Sequence, residues 1–198
     1  VKQTGEKMST IIDRHLVDAS IRHYGWDNRI EPALTIAPGE IVEFETIDAG
    51  GGQIRRTSTV DDVAGFDFDK INPTFGPVYV EGAEPGDALE ITVISLETQG
   101  WGWTANIPGF GLLADQFPDP ALHIWEFDAD NPAVSDFKPG GRVPLKFFPG
   151  ILGNARPEPG CHSVVNPGQF GGNMDTRDIC EGTTLLLPVG VEGALFSC

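Results

Sequence analysis

Glu84-Pro85-Gly86-Asp87-Ala88-Leu89-Glu90-Ile91-Thr92-Val93 is the stretch whose reading decides the fold. Proline followed by glycine suits a type II turn, because proline fixes φ at the second position and glycine supplies a positive φ at the third. Beyond the turn, Leu89, Ile91 and Val93 share one face while Glu90 and Thr92 share the other, the period of a half-buried strand. The device is used earlier too, where Ala37-Pro38-Gly39-Glu40 leads into Ile41 to Ile47, and Pro-Gly recurs at Pro108, Pro139, Pro149, Pro159 and Pro167. Short strands launched by tight turns predict an all-β fold, a β-sandwich of jelly-roll-like form with glycine- and proline-rich loops. The 25 glycines and 16 prolines agree with that reading.

Other segments extend the pattern with less force. His123-Ile124-Trp125-Glu126-Phe127 alternates and predicts a strand with His123 and Trp125 on one face. Thr184 to Val189 is a continuous apolar run and predicts a buried strand, while Ile11 to Ile21 and Ala194 to Cys198 are weaker strand candidates. Asp48 to Gln53 and Asp61 to Lys70 read as solvated loops. Asp67 and Asp69 have the D-x-D spacing of a calcium loop but not its glycine or terminal glutamate. Trp26 reads as a buried core aromatic or a pocket wall.

Composition bounds the function. With 198 residues, one main core is expected. A formal charge of -16, from 13 basic and 29 acidic side chains, repels a phosphate backbone and an anionic lipid surface, so nucleic acid and membrane are poor partners. The three cysteines, Cys161, Cys180 and Cys198, show no C-x-x-C spacing and signal neither a disulfide framework nor a thiolate zinc site. No stretch reaches the ~20 apolar residues of a membrane span, and a cytoplasmic location is expected. Met8 resembles a natural start, so residues 1–7 are expected to be a tag or upstream extension and 8–198 the folded region.

Chemistry concentrates in Phe170-Gly171-Gly172-Asn173-Met174-Asp175-Thr176-Arg177-Asp178. Adjacent Gly171 and Gly172 let a chain approach a ligand or another strand closely. In an extended segment Asn173 and Asp175 fall on one face, a carboxylate beside an amide, able to hold a hard cation, orient a water or bind a small polar substrate. The same residues also read as a Gly-Gly turn followed by an Asx-type turn. Trp101 and Trp103, set among glycines, either wall a small pocket or pin their loop to the sandwich. His123 reads as a packing residue, and adjacent Cys161 and His162 point to opposite faces in a strand, which disfavours a catalytic pair.

Phe75 to Asp87, Gly111-Leu112-Leu113-Ala114-Asp115, Gly171 to Asp175 and Leu187-Pro188-Val189, with Trp26-Asp27-Asn28 and the Pro38-Gly39 turn, together resemble the acetamidase/formamidase family over nearly all of Met8 to Cys198. The resemblance implies a β-sandwich and metal-linked hydrolysis of small carboxamides to a carboxylate and ammonia. It implies Asn173 and Asp175 as catalytic residues, with Asp175 as ligand to a divalent metal, zinc or calcium, that would polarise the carbonyl and acidify a bound water. Gly171 and Gly172, with Trp101 and Trp103, are the expected substrate contacts, and Glu84 and Asp87 are weaker candidates. Family members resembling this one continue past the position of Cys198 into a histidine-containing acidic segment. A homo-oligomer or a complementing C-terminal polypeptide is therefore expected, with little activity in the 198 residues alone. The rivals are a cyclic amide (γ-lactam) hydrolase on the same scaffold and a non-catalytic β-sandwich serving in binding or assembly.

Overall fold

The computed structural model describes residues 13–198, so the proposed leader 1–7 and Met8 lie outside the described residues. In chain order the strands are β1 (Arg14–Val17), β2 (Arg22–His23), β3 (Leu34–Ile36), β4 (Ile41–Phe44), β5 (Thr74–Phe75), β6 (Val78–Val80), β7 (Ala88–Thr92), β8 (Trp101–Asn106), β9 (Ala121–Glu126), β10 (Val134–Phe137), β11 (Gly141–Pro144), β12 (Ile151–Gly153), β13 (Gly171–Asn173) and β14 (Thr184–Pro188). The fold is all-β, as expected. The strands join as pairs: β2 with β5, β7 with β14, β8 with β9, β10 with β11 and β12 with β13 run antiparallel, while β1 with β4 and β3 with β6 run parallel.

Both Pro-Gly turns form as read. Gly39 and Gly86 take φ of 92° and 103°, values open to glycine and strained for other residues. Glu40 N–H donates to Ala37 O at 3.3 Å and Asp87 N–H to Glu84 O at 3.0 Å. The strand launched from Gly86 alternates as its sequence dictates, with Leu89 facing Leu187 across the pair and Glu90 facing Leu186. That register corrects the reading of residues 184–189 as a fully buried strand. Leu186 lies on the outer face and is 62% exposed, while Leu187 is buried. The solvated loop expected at 61–70 is also corrected, to a short helix α1 (Val60–Ala64) and a 3-10 turn at Phe68–Lys70. The signal was local capping: the Asp62 carboxylate accepts the Thr59 N–H at 2.8 Å and that of Asp67 accepts the Asp69 N–H at 3.0 Å. Trp101 and Trp103 stand on strand β8, not on a loop.

Two apolar clusters make the core. Val17, Ile36, Phe75, Val78 and Val80 form one, and Leu152, Ile179, Leu187 and Phe196 the other. Phe44 and Leu89 pack against both and join them. Each such aliphatic or aromatic side chain contributes roughly 1.5–3 kcal/mol on full burial.

The segment Phe196 to Cys198 runs through the middle. Phe196 exchanges hydrogen bonds with Val78 (2.9 and 2.7 Å) and Cys198 with Phe75 (3.2 and 2.7 Å), while Ser197 turns the other way and exchanges bonds with Gly153 (2.9 and 3.0 Å). It is an internal seam whose backbone groups are paired on both sides.

Candidate functional site: a glycine seam under Trp26

The site begins with strands that meet without side chains. Gly153 of β12 faces Gly171 of β13 on one side and Ser197 on the other. Gly171 has φ of 93°, and a Cβ there would lie 2.2 Å from the Leu152 carbonyl oxygen, so only glycine fits. A Cβ on Gly153 would lie 2.8 Å from the Trp26 ring, so the missing side chain is the room the indole occupies. Trp26 is 4% exposed and is held by hydrogen bonds in both directions with the His162 backbone, at 2.8 and 2.9 Å.

Asn173 and Asp175 come together at the far end of this pair. Asp175 N–H donates to Gly150 O at 3.1 Å, and its φ of 49° is a left-handed value that aspartate tolerates. From the position a Cβ would take on Gly150, Asp175 Oδ1 is 2.9 Å away and Asn173 Oδ1 3.9 Å, so both oxygens face the same bare backbone. Asp175 is exposed and Asn173 half-buried. Between them they offer two oxygens to a cation. Among the described residues no three His, Cys, Asp or Glu side chains converge to hold a metal ion, so they do not by themselves make a ligand set.

Trp101 and Trp103 lie elsewhere. They line an open apolar groove of about 210 Å³ with Trp125, Phe127, Leu145 and Phe147, which includes none of residues 171–175. Trp103 donates its indole N–H to Asp48 Oδ2 at 2.7 Å, and Arg56 sits over Trp101 at 5.8 Å. Asp87 Oδ2 accepts the Glu84 N–H at 3.0 Å, a turn contact that accounts for its polarity. His123 packs on Trp125 and Phe137, the role its strand position suggested.

A different pair occupies the seam. His23 Nδ1 donates to Gly25 O at 2.8 Å, since a carbonyl only accepts, and that fixes the neutral tautomer with its lone pair on Nε2. Nε2 then accepts from the Ser197 hydroxyl at 3.1 Å. Burial pushes the His23 pKa below its ordinary 6.5, partly offset by the Gly25 carbonyl, so the ring is neutral at pH 7. Both side chains border a cavity of about 10 Å³, room for one water, walled by Trp26, Asp27, Ile30 and Leu195. Asp27 is held ionised by Arg29, with its pKa lowered to about 2. Sequence reasoning missed this pair because 174 positions separate its members and no spacing rule spans that distance. The one local signal was a histidine beside Tyr24-Gly25-Trp26.

Residues 12–161 match the model of the acetamidase/formamidase family. An acetamidase of Mycolicibacterium smegmatis is 27% identical over 88% of this chain and 58% of its own length. A formamidase of Methylophilus methylotrophus is 31% identical over 66% of this chain and 33% of its own. The crystal structure of an acetamidase from Bacillus halodurans superposes with a TM-score of 0.83 at 32% identity, covering 92% of this chain and 60% of that one. The chain thus spans between a third and three fifths of the length of these relatives.

Proposed function

The chain belongs to the acetamidase/formamidase family, and from that premise we propose that it serves the hydrolysis of small linear carboxamides, formamide or acetamide, to a carboxylate and ammonia. The observation that carries the reading is the joint placement of Asn173 Oδ1 and Asp175 Oδ1 against Gly150. An amide is unactivated, so the site has to supply an activated nucleophile and stabilise the oxyanion. In this proposal Asn173 orients the amide, Gly171 and Gly172 give close approach, and Asp175 contributes one oxygen toward a zinc or calcium ion whose other ligands are not among the described residues. When bound, such an ion would polarise the carbonyl and acidify water. Trp101 and Trp103, the other expected substrate contacts, line a separate groove and are not gathered with Asn173 and Asp175.

Free Cys161, Cys180 and Cys198 favour a reducing compartment, and the cytoplasm is the proposed location. No described helix is long and apolar enough to cross a membrane. Association with another copy is part of the proposal, supported by Phe110, Leu112, Leu113 and Phe117, which are 55%, 101%, 53% and 58% exposed. Light scattering on the eluting protein gives the mass.

The deciding measurement is ammonia release from formamide, with and without a chelator, alongside intact mass. Chelator-sensitive release supports a metal-linked amidase, and release that survives chelation removes the metal from the reading. Turnover of a γ-lactam with none of formamide would move it to the cyclic amide rival, and binding without turnover to a non-catalytic scaffold.

A further inference from the structure

We infer that the β8–β9 hairpin pairs with the same hairpin of a second copy, the apolar loop at its tip seated in the groove beside Trp101 and Trp103 near its base. The inference rests on the association reading and names its surface; it does not depend on the amidase chemistry. The loop, residues 107–120, carries a fully exposed Leu112, with Phe110, Leu113 and Phe117 more than half exposed. Four such side chains present on the order of 500 Å² of apolar area, toward the upper end of what a monomer shows in one patch and the mark of a contact surface. The loop is also held in shape. Asn106 Nδ2 donates to the Phe117 carbonyl at 2.8 Å and to the Asp119 carbonyl at 2.6 Å, and the Phe117 N–H donates to Leu113 O at 3.0 Å. A shape fixed in advance costs little ordering when a partner arrives.

The groove has a bare place in its lining. Gly102 lies there, opposite Trp125 across the strand pair, and a Cβ on it would meet nothing within 4 Å. A cavity of about 150 Å³ is enough to admit a benzene ring. At about 210 Å³ the groove admits a leucine or phenylalanine side chain from the loop. A second copy is the occupant because the two halves of the contact sit at opposite ends of one hairpin. The six paired positions, Trp101–Asn106 with Ala121–Glu126, span about 20 Å and hold each loop away from its own groove. A two-fold axis across the middle of the hairpin lays tip over base in both directions at once, the self-complementary contact of an isologous dimer. Two loops and two grooves together cover roughly the 1,200–2,000 Å² of a stable interface.

Charge selects the same contact. Each copy carries a formal charge of -16, so two copies repel except where the local sign changes. It changes at the groove. Arg56 lies over the Trp101 ring at 5.8 Å, and Lys138 lies at 5.5 Å over Phe137, a ring stacked on Trp125. The loop brings Asp115 and Asp119 beside its apolar side chains. None of these four charges has an ion-pair partner among the described residues, so cations at the groove and anions on the loop are left for each other.

The test uses the full natural polypeptide, with mass by light scattering across a dilution series and a cysteine pair read by peptide mass. Leu112→Glu puts a charge on the loop, and Gly102→Phe fills the groove from within; neither site meets a neighbour in the folded chain, so far-ultraviolet circular dichroism should stay that of the parent. Each substitution should raise the dimer Kd by about 30-fold or more. Leu112→Cys and Gly102→Cys chains, mixed and mildly oxidised, should form a disulfide between positions 102 and 112. A parent that is monomeric throughout the series overturns this contact and the association reading together. A parent whose association neither substitution weakens overturns the contact and leaves association standing. Weakening by one substitution alone, or a mixture that forms no such disulfide, gives the loop a different partner, the rest of its own polypeptide included, and also overturns the contact. Ammonia release enters none of these readouts, so the amidase reading stands or falls separately.

Discussion

Two histidine-tryptophan pairs occupy this chain in opposite settings. His23 meets Trp26 edge-on, with ring centroids 6.0 Å apart, in a buried seam of paired backbone and glycine. His123 meets Trp125 edge-on at 4.4 Å on an open hairpin beside a groove of about 210 Å³. The closer ring contact belongs to the less enclosed pair. The hydrogen bonds rank the pairs the other way: His23 has both nitrogens committed, to Gly25 and Ser197, whereas His123 makes one long bond to the Asp136 carbonyl at 3.3 Å. Ring geometry alone does not distinguish a histidine anchored at both nitrogens from one held mainly by packing.

The largest expected effect tests whether the seam depends on bare backbone. Gly171→Val places a side chain at a φ of 93° and against the Leu152 carbonyl, and should destabilise by about 3 kcal/mol or more in urea unfolding. On the hairpin, Gly102→Ala meets nothing within 4 Å and should stay within about 1 kcal/mol. Equal losses would erase the contrast.

Next in size is the aromatic pair. Trp26→Ala removes a buried indole and should cost about 3–5 kcal/mol. Trp125→Ala, half-buried with its N–H on Thr104 Oγ1 at 2.8 Å, should lose about 1 kcal/mol. A reversed order would place the core on the hairpin.

The smallest effect is a slope with pH. His23 is harder to protonate folded than unfolded, so the unfolded chain gains the proton first as pH falls below the ordinary 6.5. Stability is unaffected above that value and declines below it until the depressed folded pKa is reached. Asp27 borders the same cavity but, with its pKa at about 2, stays ionised throughout that window. Urea midpoints taken from pH 7.5 to 5 should fall in the parent and fall less in His23→Gln. Parallel slopes would show that His23 titrates normally.

How much of this was legible in the sequence depends on range. Gly39 and Gly86 declared their turns because turn chemistry is confined to adjacent residues, and Leu89 and Ile91 declared their face because strand period is local. Leu186 was misread because an apolar residue on an outer face looks the same in one dimension as one inside; only its register with Glu90 separates them. The parallel pairing of β1 with β4 and the meeting of His23 with Ser197 are set by tertiary packing and leave no local trace. The proximity of Asn173 and Asp175 was legible because a two-residue spacing keeps their side chains near the same backbone, at Gly150.

The threading of Phe196 to Cys198 between Val78 and Gly153 also sets an order of events during synthesis. Chains emerge at about 5–20 residues per second, so strands β5, β6 and β12 wait several seconds with unpaired backbone before their partner exists. Pairings across such separations are slow to close. In a growing polypeptide the pairings of residues 196–198 close only after β5, β6 and β12 have been made, so until then the cluster of Leu152, Ile179 and Leu187 lacks Phe196.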